Sequence, residues 1–179
     1  TIILSQIIQH LKFLEQSEEV SWRPQYPSVN LLSTSTCWRQ DHNGFSHQSP
    51  MLISSLLDRP GHHVNCFFPV DASSVAPCFD FLMQSKNQVN LVTFNKTEEP
   101  IWQTESEAKQ NFEMGYSLFE FISNKNSSGE FDHLFVAAGD IATREAIEAI
   151  KILRQDLPEM YFGLINISAL TYGAIGTSD

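Results

Sequence analysis

The sequence predicts an α/β fold of mostly parallel sheets flanked by helices. Two observations carry that expectation. Apolar runs such as VNCFFPV at 64–70 and VNLVTF at 89–94 alternate with stretches of helical periodicity. Strands buried on both faces read as continuous apolar runs, and helices between them supply the cover, so the sheet is parallel. The second observation is a unit late in the chain: HLFVAA at 133–138, Gly139-Asp140, ATREAIEAIKILRQD at 142–156, then YFGLINI at 161–167. Strand, helix and strand in that order form a parallel crossover.

Each element has its own signal. Ile3, Leu4, Ile7, Ile8, Leu11 and Leu14 recur at helical spacing, which predicts an amphipathic helix over 3–16. Pro24 and Pro27 make 22–27 an extended connector. A short buried strand is expected at 31–35, then a polar loop, then a helix over 51–57 that stops at Pro60-Gly61. The strand at 64–70 leads to a helix over 72–86 with Val75, Cys78, Phe79 and Leu82 inward, and the next strand is 89–94. NKTEEPIWQT at 95–104 reads as a connector, 105–122 as a helix and NKNSSG at 124–129 as a loop. In the last unit Asp140 is expected to cap the helix over 142–156. No internal repeat or low-complexity tract interrupts this order.

Composition narrows the function. A net charge of −10 argues against nucleic acid, whose binding depends on clustered Lys and Arg. Any anionic ligand therefore needs a local positive patch working against the global field. No apolar run approaches the roughly eighteen residues of a membrane span, and no basic-then-apolar leader opens the chain. Three cysteines without a CxxC fit a reducing compartment, so a cytoplasmic location is expected. Thr1 in place of an initiator Met leads us to expect a processed chain or a piece of a longer one.

Several motifs invite chemistry and have simpler readings. Gly139-Asp140 lacks the further glycines and the lysine of a phosphate loop, so a capped helix is the expectation. Cys37 near His42 and His47 suggests a thiol nucleophile, but cysteine is commonly a small buried hydrophobe. His62-His63 beside Pro60-Gly61 reads as a solvated turn. Asp41, His42 and His47 match no zinc spacing.

CWRQDHNGFSHQSP at 37–50 is different. A polar turn explains Asn43-Gly44 and leaves Arg39, Gln40, His42 and His47 without a purpose. A loop at the carboxyl end of a parallel strand is where α/β sheets place ligand-binding groups. Imidazole transfers protons near neutral pH, while amides and guanidinium orient oxygens and stabilise negative charge. The pattern alone points to an α/β enzyme site.

The stretch WRQDHNGFSHQSP closely resembles the phosphoketolase motif WRQDHNGFSHQDP, with Ser49 in place of its Asp. KFLEQSEEVSWRPQYPSVNLLSTSTCWRQ resembles the segment leading into that motif. FFPVDASSV at 67–75 is similar to YLPPDANTL, and QVNLVTFNK at 88–96 to YVNVIVAGK. Trp102 lies six residues beyond Lys96 as in the family, and FDHLFVAAGDIATREAIEAIKILRQDLPEMYFGLINISAL at 131–170 resembles the start of its last domain.

The resemblance implies parts of two transketolase-like domains. Residues 1–102 would be the later half of the pyrimidine-binding domain, and 103–179 the start of the carboxyl-terminal domain. It implies a lyase that cleaves xylulose 5-phosphate or fructose 6-phosphate with inorganic phosphate, giving acetyl phosphate, water and a shorter aldose phosphate. The cofactors implied are thiamine diphosphate and Mg2+, with their main binding groups and the activating glutamate outside this chain; the chain alone would then be inactive. By the same resemblance His47 is the catalytic histidine, Gln40 and Asn43 hold substrate and phosphate oxygens, and Lys96 faces a phosphate group. A homodimer or higher homo-oligomer is implied, because cofactor in such enzymes lies between subunits. The alternatives are transketolase-like ketol transfer, or a non-catalytic homologue serving assembly. The sequence departs from the family at CFDFLMQSK, 78–86, where a more basic segment is expected, and at 97–99, where TEE puts two acids beside Lys96.

Overall fold

The computed structural model describes residues 2–34, 51–58, 63–95 and 98–171. Helix α1 (Ile2–Ser17) buries Ile7, Leu11 and Leu14 along one stripe, as its periodicity requires. Strand β1 (Val29–Ser33) follows the proline connector and begins two residues before the expected strand. Helix α2 (Met51–Leu57), strand β2 (Val64–Phe67), helix α3 (Ala72–Gln84) and strand β3 (Val89–Thr93) complete an alternating order of strand and helix.

Strands β1, β3 and β2 are parallel neighbours. Every residue of β2 and β3 is buried, which is why both read as largely apolar runs, each with one asparagine. Val89 and Leu91 pack on one face against Ile7, Leu11 and Leu56. Val92 and Phe67 pack on the other against Cys78, Leu82 and Phe112. Each such fully buried side chain contributes about 1.5–3 kcal/mol.

A line of amides fixes the register. Asn30, Asn90 and Asn65 face one another across the three strands. Asn90 Nδ2 donates to Asn30 Oδ1 at 2.7 Å, and Asn65 Nδ2 donates to Asn90 Oδ1 at 2.8 Å. Asn65 and Asn90 are buried and tolerate no slip, because each would lose its partner.

The expected strand at 64–70 is shorter. Pairing with β3 ends at Phe67, and Pro69 has no N–H to extend it. The chain then enters α3 through a capping box: Asp71 Oδ1 accepts from the Ser74 N–H at 2.9 Å, and Ser74 Oγ accepts from the Asp71 N–H at 3.0 Å.

The helix expected over 105–122 is corrected. Helix α4 (Glu105–Met114) stops at Gly115, which takes φ +78° and donates its N–H to the Asn111 and Phe112 carbonyls. Left-handed backbone of that kind ends helices, and glycine adopts it without steric cost. The chain continues as strand β4 (Tyr116–Leu118), antiparallel to a later strand over Phe162–Ile167.

Strand β5 (His133–Ala138), helix α5 (Asp140–Asp156) and strand β6 (Phe162–Ile167) form the expected parallel crossover. Ile147, Ile150, Phe162 and Leu164 build a second core with Phe119 and Ile122, and Val70 from the first unit is buried in it. Strand β7 (Ala169–Thr171) was not foreseen. After β6 the chain crosses to the first sheet and pairs antiparallel with β2, while the Phe68 N–H donates to the Ser168 carbonyl at 2.8 Å. The sheet orders are therefore β1-β3-β2-β7 and β4-β6-β5.

Candidate functional site

The carboxyl ends of β1, β3 and β2 form one edge of the first sheet, and the described parts of the site gather there. Ser33 at the end of β1 is the register partner of Thr93 at the end of β3, and the Phe94 N–H donates to the Ser33 carbonyl at 3.1 Å. In sequence, Ser33 precedes the polar stretch at 37–50 by four residues and Thr93 precedes Lys96 by three. Gln40, Asn43, His47 and Lys96 lie outside the described residues, as do Cys37, Arg39, Asp41 and His42.

Beside this edge opens a cleft of about 430 Å³, lined among others by Pro69, Val70, Phe94, Asn95, Glu99 and Asp140. It lies between the strand ends of the first sheet and the first turn of α5. Parallel α/β sheets bind ligands at this kind of position.

Three carboxylates around the cleft have assigned partners. Asp71, which caps α3, also accepts the backbone N–H groups of Trp102 and Gln103 on Oδ2 at 2.9 and 3.0 Å. Asp140 is corrected from its expected capping role. The cap position is Gly139 and makes no side-chain cap, while Asp140 is the first residue of α5. Its Oδ1 accepts from the Ile141 N–H at 2.7 Å and its Oδ2 from the Asn95 N–H at 2.6 Å. Burial pushes the Asp140 carboxyl above the usual carboxylate range, with the charge of Glu99 adding to the rise and the N–H donors of Ile141 and Asn95 opposing it.

Glu99 was read only as an acid beside Lys96. Its side chain is 8% exposed, and Arg144 Nη1 lies between its two oxygens, 2.8 Å from Oε2 and 3.1 Å from Oε1. Asn95 Nδ2 donates to Glu99 Oε1 at 2.7 Å. Sequence reasoning missed Arg144 because 45 residues separate it from Glu99; its only local signal is its place one turn after Asp140 on the same helix.

One other reading changes. His63 is buried rather than solvated: Nδ1 is 2.6 Å from the Asn87 carbonyl and Nε2 is 3.0 Å from Glu18 Oε1. Cys66 and Cys78 are buried, and burial pushes both thiols up to about 12, so they stay protonated and unreactive. Among the described residues no three His, Cys, Asp or Glu side chains converge as a metal site needs, and no helix is long and apolar enough to cross a membrane.

The likeness to known proteins covers nearly the whole chain. Residues 1–85 match the family described as D-xylulose 5-phosphate/D-fructose 6-phosphate phosphoketolase, and residues 96–174 match the C-terminal domain of that family. A probable phosphoketolase of Brucella suis is 36% identical over 166 residues, which is 93% of this chain and 21% of the relative. Probable phosphoketolase 2 of Lactiplantibacillus plantarum is 37% identical over 167 residues, with the same 93% and 21% coverage. This chain thus spans about a fifth of the length of the curated relatives it matches. Among solved structures, transketolase from Leishmania mexicana superposes with a TM-score of 0.57 at 16% identity, covering 77% of this chain and 18% of that one. At that identity the likeness is one of fold.

Proposed function

This chain belongs to the D-xylulose 5-phosphate/D-fructose 6-phosphate phosphoketolase family, and from that premise we propose that the complete protein is a phosphoketolase. It cleaves xylulose 5-phosphate, fructose 6-phosphate or both with inorganic phosphate, giving acetyl phosphate, a shorter aldose phosphate and water. The observation that carries this reading for the site is the pairing of Ser33 with Thr93. It brings the sequence neighbours of the WRQDHNGFSHQSP loop and of Lys96 to one sheet edge beside the cleft.

Family membership implies thiamine diphosphate and a divalent metal. Bound thiamine diphosphate supplies the carbanion chemistry that breaks the sugar's carbon–carbon bond. The described residues do not fit the diphosphate and its ion: no metal-binding cluster is present among them, and Asp71, Asp140 and Glu99 already hold backbone N–H groups or Arg144. In our reading those groups, with Mg2+, bind outside this chain, and the chain alone is inactive.

The roles assigned to this chain's residues are as follows. His47 gives and takes a proton at the reacting end of the sugar, Gln40 and Asn43 orient substrate and phosphate oxygens, and Lys96 pairs with a phosphate group. Residues 1–102 form the later half of a pyrimidine-binding domain and 103–179 the start of the carboxyl-terminal one. The complete protein works in the cytoplasm as a homodimer or larger homo-oligomer, with the cleft closed by a second subunit. Formation of acetyl phosphate by the complete protein, given ketose phosphate, phosphate, thiamine diphosphate and Mg2+, is the test. Ketol transfer to an aldose with no acetyl phosphate would overturn the reading.

A further inference from the structure

We propose that Arg144 sets the phosphate affinity of this site by cancelling the charge of Glu99, with Asp140 as its companion in holding the segment between them; this rests on the phosphoketolase reading above. Asp140 and Arg144 stand one turn apart on α5, so both project from the same face. Asp140 receives the Asn95 N–H, and Arg144 holds the Glu99 carboxylate, so both ends of the 95–99 segment are fastened to α5. The Asn95 amide closes the segment on Glu99 as well. Lys96 lies between these anchors in sequence.

The charge balance gives the arrangement a purpose beyond packing. The chain carries a net charge of −10, and Glu98, Glu99, Asp71 and Asp140 all line the cleft. A phosphate entering there meets repulsion unless those charges are offset. Asp71 holds three backbone N–H groups. Glu99, at 8% exposure, is poorly screened by water, so its charge would act strongly if it were unpaired. Arg144 cancels it without occupying the cleft: Arg144 is not among the lining residues, whereas Glu99 is. Arg144 is thus a positioning and charge-balancing residue rather than a catalytic one.

The test is a double-mutant cycle in the complete enzyme with cofactor, using inorganic phosphate as the varied substrate. Arg144→Ala leaves Glu99 uncompensated and should raise the KM for phosphate about tenfold, with a smaller effect on kcat. Glu99→Gln keeps an acceptor for Asn95, removes the charge, and should lower that KM. Arg144→Ala with Glu99→Gln should restore KM to within about threefold of wild type, although the pair is still broken and the melting temperature stays reduced. A purely structural role predicts no such rescue. An unmoved KM in Arg144→Ala, or a raised KM that Glu99→Gln fails to restore, overturns the proposal. If Arg144→Ala does not fold, Glu99→Gln alone decides it: a KM equal to or above wild type overturns it. These failures are distinct from failure of the function reading, in which the wild type itself makes no acetyl phosphate and both proposals fall.

Discussion

Trp102 donates its backbone N–H to Asp71 Oδ2 at 2.9 Å across 31 residues of sequence. Gln103 donates to the same oxygen, and the other oxygen caps α3 at Ser74. One buried carboxylate therefore fixes both the start of α3 and the end of the connector that leaves β3. Asp71→Ala should lose the cap, worth about 1 kcal/mol, and strand N–H groups at a cost of about 1–3 kcal/mol each where burial keeps water away. Chemical denaturation should show a loss of about 3 kcal/mol, with Asp71→Asn losing less because one acceptor remains. A loss below about 1 kcal/mol would remove Asp71 from this role.

Gly115 should be equally sensitive for a different reason. Its φ of +78° ends α4 and frees the chain for β4. An added Cβ would meet only Ala169 Cβ and the Ala169 carbonyl oxygen, both at 3.9 Å, so crowding is not the problem. The cost of Gly115→Ala is the backbone conformation itself, about 1–2 kcal/mol, and Gly115→Asn should cost less because Asn tolerates it. Thermal unfolding in which Ala and Asn are equally harmless would contradict the left-handed cap.

That glycine also marks where the sequence stopped being legible. Strong periodicity over α1, α3 and α5, and continuous apolar runs at β2, β3, β5 and β6, made those elements readable with small errors at their ends. In MGYSLFEFI the apolar run continued past Gly115 and hid the change of period from helix to strand. β7 has no local signal, since its three residues become a strand only by pairing with β2. The amide line was visible in hindsight: Val-Asn opens each of the three parallel strands, at Val29-Asn30, Val64-Asn65 and Val89-Asn90. His63 and Arg144 were not legible, because their partners Glu18, Asn87 and Glu99 are near only in space. Gln40, Asn43, His47 and Lys96 rest on the motif alone and lie outside the described residues.

Asp140 should give stability a recognisable dependence on pH. Burial raises its folded carboxyl above the ordinary aspartate value, so the native state holds that proton more tightly than the unfolded chain. Stability from this group is therefore full below the ordinary value and falls as pH rises through the raised one. Glu107 has the opposite sign: its hydrogen bonds with the Thr104 backbone and hydroxyl lower it, so its contribution is lost as pH falls. Comparing wild type with Asp140→Asn isolates the first effect, because Glu107 is common to both. The wild type should lose stability relative to Asp140→Asn as pH is raised through that window. A constant difference, or one that grows in favour of the wild type, would contradict the raised value.

The last expectation returns to His47 and separates chemistry from binding. Its neighbours Asn43, Gly44, Ser46 and Gln48 are those of a polar loop rather than of a core. An imidazole there is suited to proton transfer near neutral pH, where carboxylates are already ionised and lysines still protonated. In the complete protein His47→Ala should reduce acetyl phosphate turnover about 10²–10⁴-fold, the usual scale for a positioned acid–base group. Its melting temperature should stay close to wild type, as the polar sequence around it predicts. Lys96→Ala should behave differently, raising KM for sugar phosphate or phosphate more than it lowers kcat, because a charge facing phosphate contributes to binding before chemistry begins. Steady-state kinetics of the two variants side by side is the measurement. If His47→Ala turned over near the wild-type rate, proton transfer would have to be assigned to another group, and the crowding of the WRQDHNGFSHQSP loop would need a purely binding explanation.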